Sequence, residues 1–102
     1  MNDNLIARFN GEQTIEIVSC TQSMRFSDEI VEAPLRELTI HSALEDLDAI
    51  VDMIPEEGVE KLEIIEDGKI VFETGDYVLA SANRTISRGA QNSVFLTFRR
   101  AL

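Results

Sequence analysis

The chain has 102 residues, a formal net charge of −10 at pH 7 and an apolar fraction of 44%. This length predicts a single domain over residues 1–102, large enough to bury a core without disulfides or metals. The lone Cys20 excludes an internal disulfide, no apolar run reaches the ~20 residues of a membrane span, and the excess of acids opposes nonspecific binding to nucleic acid or anionic membranes.

The N-terminal segment alternates apolar and polar residues around Asn10-Gly11, which is typical of two half-buried strands in a hairpin. A two-residue loop would place Leu5 opposite Glu16 and mix the two faces of the sheet. A three-residue loop over residues 9–11 pairs Leu5 with Ile15 and gives Gly11 a positive φ, so we predict that loop. The apolar positions of the hairpin are Leu5, Ala7, Phe9, Ile15 and Ile17.

The next segment, residues 21–34, has the least regular pattern. Met24 and Phe26 favour a short strand, whereas the acidic stretch before Pro34 predicts a loop or a sheet edge. Residues 35–40 then predict a strand that leads into a helix.

One amphipathic helix is predicted at about residues 43–54. Ser42 is a favourable N-cap, and Glu45 three residues later completes a capping box. Pro55 and Gly58 end the helix. Its apolar face consists of Leu44, Leu47, Ile50, Val51 and Ile54.

A second hairpin is predicted around Asp67-Gly68. A two-residue turn would pair Leu62 with Glu73, which again mixes the faces. A three-residue loop over residues 66–68 pairs Leu62 with Phe72, so we predict that register.

The C-terminal region predicts two more strands, over residues 77–82 and 94–98, joined by the polar segment 83–92. A connection of that length is long for a hairpin and suggests a functional loop. The fold class is therefore α+β: a mainly antiparallel, hairpin-built sheet of about six strands, with the helix packed on one face.

No catalytic set is evident. His41 lies alone at a strand–helix junction and Cys20 lies in a strand, with no spacing that indicates a nucleophile and its base. One Cys and one His do not make a usual zinc site. The acids near Asp48 lie on a helix and not in a calcium-binding loop, and no glycine-rich phosphate loop occurs. We therefore expect no enzyme activity, no catalytic residue, no metal ion and no cofactor.

Charge is unevenly distributed along the chain. Residues 28–76 hold sixteen acids and three bases, whereas residues 77–102 hold four arginines and no acid. Arginine is favoured at protein interfaces, and an apolar residue ringed by arginines is typical of a hot spot. The candidate partner-binding residues are Arg84, Ile86, Arg88, Arg99 and Arg100.

Pairing of the last two strands would place the arginines in two patches at opposite ends of a hairpin. Two structural alternatives to a binding role stay open for these residues. In the first, the arginines are scattered, solvated charges. In the second, Ile86 folds onto the sheet edge and closes the core.

These features favour a non-enzymatic protein-interaction or assembly subunit that self-associates, of the kind found among phage and prophage structural or accessory proteins. The expected partner is a protein, with another copy of the chain as a candidate, and neither nucleic acid nor membrane is bound directly. The alternative is an acidic inhibitor that mimics nucleic acid and presents Glu45, Asp48, Asp52, Glu56, Glu57 and Glu60. The N-terminus lacks the pattern of a secretory signal, so we expect a cytoplasmic location, or the virion for a phage protein.

Overall fold

A computed structural model describes residues 4–25, 35–89 and 92–101. The strands form one antiparallel sheet in the order β5-β4-β1-β2-β3-β7-β6, which has seven strands where about six were predicted. Within the described residues, the mainly antiparallel, hairpin-built sheet and the presence of one helix agree with the prediction. The elements are β1 (Leu5–Phe9), β2 (Gln13–Arg25), β3 (Leu35–Ser42), α1 (Leu47–Asp52), β4 (Leu62–Glu66), β5 (Lys69–Thr74), β6 (Val78–Thr85) and β7 (Ser93–Ala101).

The long strand β2 allows the sheet to curl around its core. Its first residues pair with β1, and its later residues pair with β3 after a bulge between Ile17 and Ser19. The bulge shifts the alternation of side chains, so that Ile17 before it and Cys20 after it both contact the core. Phe9 of β1 and Phe98 of β7 have ring centroids 6.0 Å apart, although β2 and β3 separate their strands in the sheet. The two halves of the sheet therefore face each other.

The core is a single cluster of buried apolar side chains from every strand except β5 and β6, with two contributions from the helical region. Those two are Ile50 of α1 and Ile54 just after it. The strand and loop members are Ala7, Phe9, Ile15, Ile17, Leu38, Ile40, Val59, Leu62, Ile64, Tyr77, Val94, Leu96 and Phe98.

The helix is shorter than predicted, and its predicted N-cap is wrong. Asp46 caps α1, with its side chain accepting a hydrogen bond from the Ala49 N–H at 3.1 Å. Ser42 instead ends β3, where backbone pairing on both sides holds it extended, and its Oγ accepts from the Leu44 N–H at 3.0 Å. Sheet pairing therefore overrides the capping-box pattern, and Leu44, expected on the apolar face, is exposed.

The first hairpin keeps its odd-numbered apolar face, as predicted, but its register differs by two residues. Ala7, not Leu5, lies opposite Ile15. The turn is centred on Asn10-Gly11, with φ angles of 53° and 71°, and the Glu12 N–H donates to the Phe9 carbonyl at 3.1 Å. The positive φ of Gly11 is confirmed. Three residues, 10–12, lie between the paired Phe9 and Gln13, so the predicted three-residue length is confirmed and the predicted position, residues 9–11, is wrong by one residue.

The second hairpin uses the two-residue turn that the pattern had disfavoured. Asp67 and Gly68 have φ angles of 50° and 80°. A bulge in β5 then shifts the register by one residue between Ile64 and Ile65. Leu62 consequently lies opposite Thr74 and Ile64 opposite Phe72, so the predicted loop over residues 66–68 and the Leu62–Phe72 pair are wrong. The bulge in the strand, and not the turn, restores the apolar face.

The last strands are longer than predicted. β6 includes Asn83, Arg84 and Thr85, which removes these residues from the predicted loop at 83–92. The strand around Met24 is the end of β2, and the predicted Phe26 strand residue and the loop before Pro34 lie outside the described residues. Among the residues described, no helix has the length and apolar character needed to cross a membrane.

Candidate interaction surface

Strand β6 forms one edge of the sheet. Its start is covered, because Tyr77 just before it exchanges backbone hydrogen bonds of 2.7 and 3.1 Å with Val59. After a bulge between Leu79 and Ser81, β6 pairs with β7 on one side, and no described strand pairs with its other side. On that side the backbone groups of Ser81–Thr85 have no partner strand among the described residues, and such groups are a template for strand addition.

Ile86 follows this open stretch and is 72% exposed, the most of any large apolar side chain among the described residues. The alternative in which Ile86 closes the core is therefore wrong. Arg84 and Arg88 on either side of it are also exposed. We define the β6 edge as residues 81–86 together with Arg88.

The other two candidate arginines lie at the opposite end of the β6–β7 hairpin. Arg99 is the register partner of Val78, and its Nε lies 3.3 Å from Oε1 of Glu37. Arg100 donates from Nη1 to the Gly75 carbonyl at 3.1 Å and has its guanidinium 5.9 Å from the centroid of the Tyr77 ring. The five candidate residues thus form two groups, and this second group already has intramolecular contacts.

The opposite edge of the sheet, β5, differs from the β6 edge in shape and charge. Its bulge near Val71 interrupts the free backbone, which blunts an edge against strand addition. Ile70 and Val71 are exposed there. The turn before β5 carries Glu66 and Asp67, and Glu73 of β5 lies 3.9 Å from Lys61.

A third feature is the acidic segment, residues 43–60, which surrounds α1 and holds seven acids and no base. All seven side chains are exposed. Within the described residues none of them forms an ion pair, and no group of three or more His, Cys, Asp or Glu side chains there is arranged to hold a metal ion. The acids are Glu45, Asp46, Asp48, Asp52, Glu56, Glu57 and Glu60.

The most buried acid among the described residues belongs to a structural ion pair that the sequence pattern did not reveal. Glu63 is buried on the outer face of β4 and accepts two hydrogen bonds from Arg8 of β1, at 2.9 and 3.0 Å. The Arg8 hydrogen bonds hold the pKa of Glu63 below its usual value, against the opposing effect of burial. Arg8 and Glu63 are register partners on adjacent strands, so this pair fixes the β1–β4 pairing.

Cys20 and His41 do not form a catalytic pair. Cys20 contacts the core from the inner face, and burial raises the pKa of its thiol to about 11. His41 is offset by one position from the partner of Cys20, which is Ile40, and therefore lies on the outer face. There it stacks on Phe95 with ring centroids 4.4 Å apart. A thiol with a raised pKa is a poor nucleophile, so its half-buried location favours a packing role.

No protein-family model, curated protein or solved structure matches this chain.

Proposed function

We propose that the protein is a non-enzymatic interaction or assembly subunit that self-associates through the β6 edge. One observation carries the proposal: Ile86 is 72% exposed between two exposed arginines, and it directly follows a stretch of β6 that pairs with β7 on one side and with no described strand on the other. An added strand gains main-chain hydrogen bonds, and an apolar anchor flanked by arginine supplies the side-chain contribution.

Charge favours a second copy of the chain as the partner. The β6 edge carries Arg84 and Arg88 and no acid, whereas the turn before β5 and the acidic segment carry unshared carboxylates. Complementary potentials guide association and select partners. The acidic turn before β5 and the acidic segment both lie outside β6, so a contact between the β6 edge of one copy and either of them in the next copy is heterologous. Such a contact repeats into a ring or a filament.

The test is Ile86→Asp, with Val18→Asp as a matched control. Val18 is also exposed and β-branched, but it lies on β2, which is separated from β6 by two strands. Sedimentation velocity at micromolar concentration should show that the wild type and Val18→Asp associate, less strongly as salt is raised, and that Ile86→Asp is monomeric.

The melting temperature of the isolated domain should barely change in either variant, because surface substitutions usually change stability by no more than ~0.5 kcal/mol. A wild type that is monomeric at every concentration and salt would contradict the proposal. Equal weakening by both variants would show that the β6 edge is not the contact.

A second candidate function is mimicry of nucleic acid by the acidic segment. The observation in its favour is that all seven carboxylates are exposed and form no ion pair within the described residues. Such a surface would occupy the basic cleft of a nucleic-acid enzyme. Inhibition of a panel of endonucleases by the wild type, relieved in Glu56→Gln/Glu57→Gln, would support it. Unchanged cleavage by every enzyme at micromolar protein would count against it.

A further inference from the structure

The two halves of the sheet do not fill the whole space between them. A cavity of about 330 Å³ lies between β1, β4 and β5 on one side and the later part of β2 with β3 on the other. This volume is at the lower end of the range of ligand sites in proteins. Its walls are apolar, with the thiol of Cys20 among them and Gln22 and Val71 exposed at the opening. The remaining lining residues are Leu5, Leu38, Ile64 and Phe72.

A second, more polar cavity of about 260 Å³ adjoins the first. Gln22 lines both, and Arg36 is the only charged residue among the described residues that line either one. The other lining residues of this second cavity are Ser23 and Met24. Gln22 therefore lies between a mainly apolar cavity and one that is lined by a guanidinium.

Arg36 has a buried donor without an acceptor among the described residues. It shares the inner face of β3 with Leu38, and its Nε forms no hydrogen bond with any residue that the structure describes. Its register partner on β7 is Arg100, so two like charges lie side by side on the same face. Arg100 has the Gly75 carbonyl as acceptor. A buried donor without an acceptor is costly, and an anion beside Arg36 would satisfy the donor and reduce the repulsion together.

We propose that the two adjoining cavities bind a small amphiphilic carboxylic acid, with its apolar tail between Leu38 and Phe72 and its carboxylate on Arg36. The planar guanidinium matches a carboxylate, and one arginine suits a singly charged group better than a phosphate. None of the described lining residues is acidic. This site is open to solvent on the inner side of the curled sheet, and none of its described lining residues belongs to the β6 edge.

The test uses decanoate below its micelle concentration, with 1-decanol as the uncharged ligand of the same chain length. Cys20 is the only thiol in the chain and lines the apolar cavity, so the rate of its alkylation by N-ethylmaleimide at fixed pH reports occupancy of this site. Titration calorimetry gives the affinities. Arg36→Gln removes the guanidinium, and Arg84→Gln makes the same change of charge on the β6 edge.

Decanoate should bind saturably, slow the alkylation of Cys20 and bind about tenfold more tightly than 1-decanol, because a charged hydrogen bond is lost with the alcohol. Arg36→Gln should lose this preference, and Arg84→Gln should keep it. Absence of saturable protection of Cys20 overturns the proposal, as does a preference that survives in Arg36→Gln. If Arg36→Gln does not fold, the wild type alone decides: equal affinities for the acid and the alcohol overturn the proposal, and a tenfold preference that falls with salt supports it.

Discussion

The hydroxyl of Tyr77 offers a sharp test of the packing, because it is buried at the corner between β5 and β6 without a hydrogen-bond partner. A buried hydroxyl that lacks a partner costs about 1–3 kcal/mol. The ring, in contrast, makes stabilising contacts: it belongs to the core cluster, and the guanidinium of Arg100 lies 5.9 Å from its centroid. Tyr77→Phe removes the hydroxyl and keeps the ring.

We expect Tyr77→Phe to raise the free energy of unfolding by ~1 kcal/mol, since the small void left by one oxygen offsets part of the gain. For a chain of this length the melting temperature should rise by about 4 °C. Urea unfolding and calorimetry measure both quantities. Tyr77→Leu is the control, because it removes the hydroxyl and the ring together and should lower stability by roughly 1–3 kcal/mol.

The opposite result would contradict this expectation. If Tyr77→Phe lowers the free energy of unfolding by ~1 kcal/mol or more, the hydroxyl has a hydrogen-bond partner in solution.

Three further substitutions test an ion pair, a helix cap and a close backbone contact. Glu63→Gln should lower the melting temperature at neutral pH. Since the Arg8 hydrogen bonds lower the pKa of Glu63 in the folded state, the difference from the wild type should shrink as the pH falls through the acidic range; a difference independent of pH would contradict this. Asp46→Ala should cost ~1 kcal/mol in urea unfolding through loss of the helix N-cap, and no change would argue against the cap. Gly75→Ala should cost about 1–3 kcal/mol by the same assay, because its Cβ would overlap the Glu60 carbonyl oxygen; wild-type stability would show that the corner has room.

The side-chain alternation predicted the strands well but not their register. It placed Ile15 and Ile17 on an apolar face, and the structure confirms this. The register depends on where one extra residue is inserted into the hairpin. The alternation of apolar and polar residues does not distinguish a longer turn from a bulge such as the one near Val71. The predicted start of the helix was wrong for a related reason. Pairing of Ser42 on both sides is a tertiary contact that a local capping pattern does not contain.

The candidate surface was predictable only in part. The exposed position of Ile86 was one of two alternatives that its polar neighbours left open, and only the structure distinguishes them. The separation of Arg84 from Arg99 follows from hairpin pairing, and pairing of the last two strands was foreseen as a possibility. The internal contacts of Arg99 and Arg100 were not, because Glu37 and Gly75 are brought beside them by the sheet order. The cavity beside Arg36 depends on how the two halves of the sheet face each other, which no local pattern specifies.

Hydrogen exchange at low and high protein concentration is the most direct test of association through the β6 edge. If copies associate through the β6 edge, backbone amides within Ser81–Thr85 that do not bond to β7 should exchange more slowly in the associated sample. Ile86→Asp should remove this protection, and amides in β1 and β3 should be unaffected. Protection confined to another part of the chain, or exchange that is independent of concentration at Ser81–Thr85 in an associated sample, would contradict the assignment of β6 as the contact.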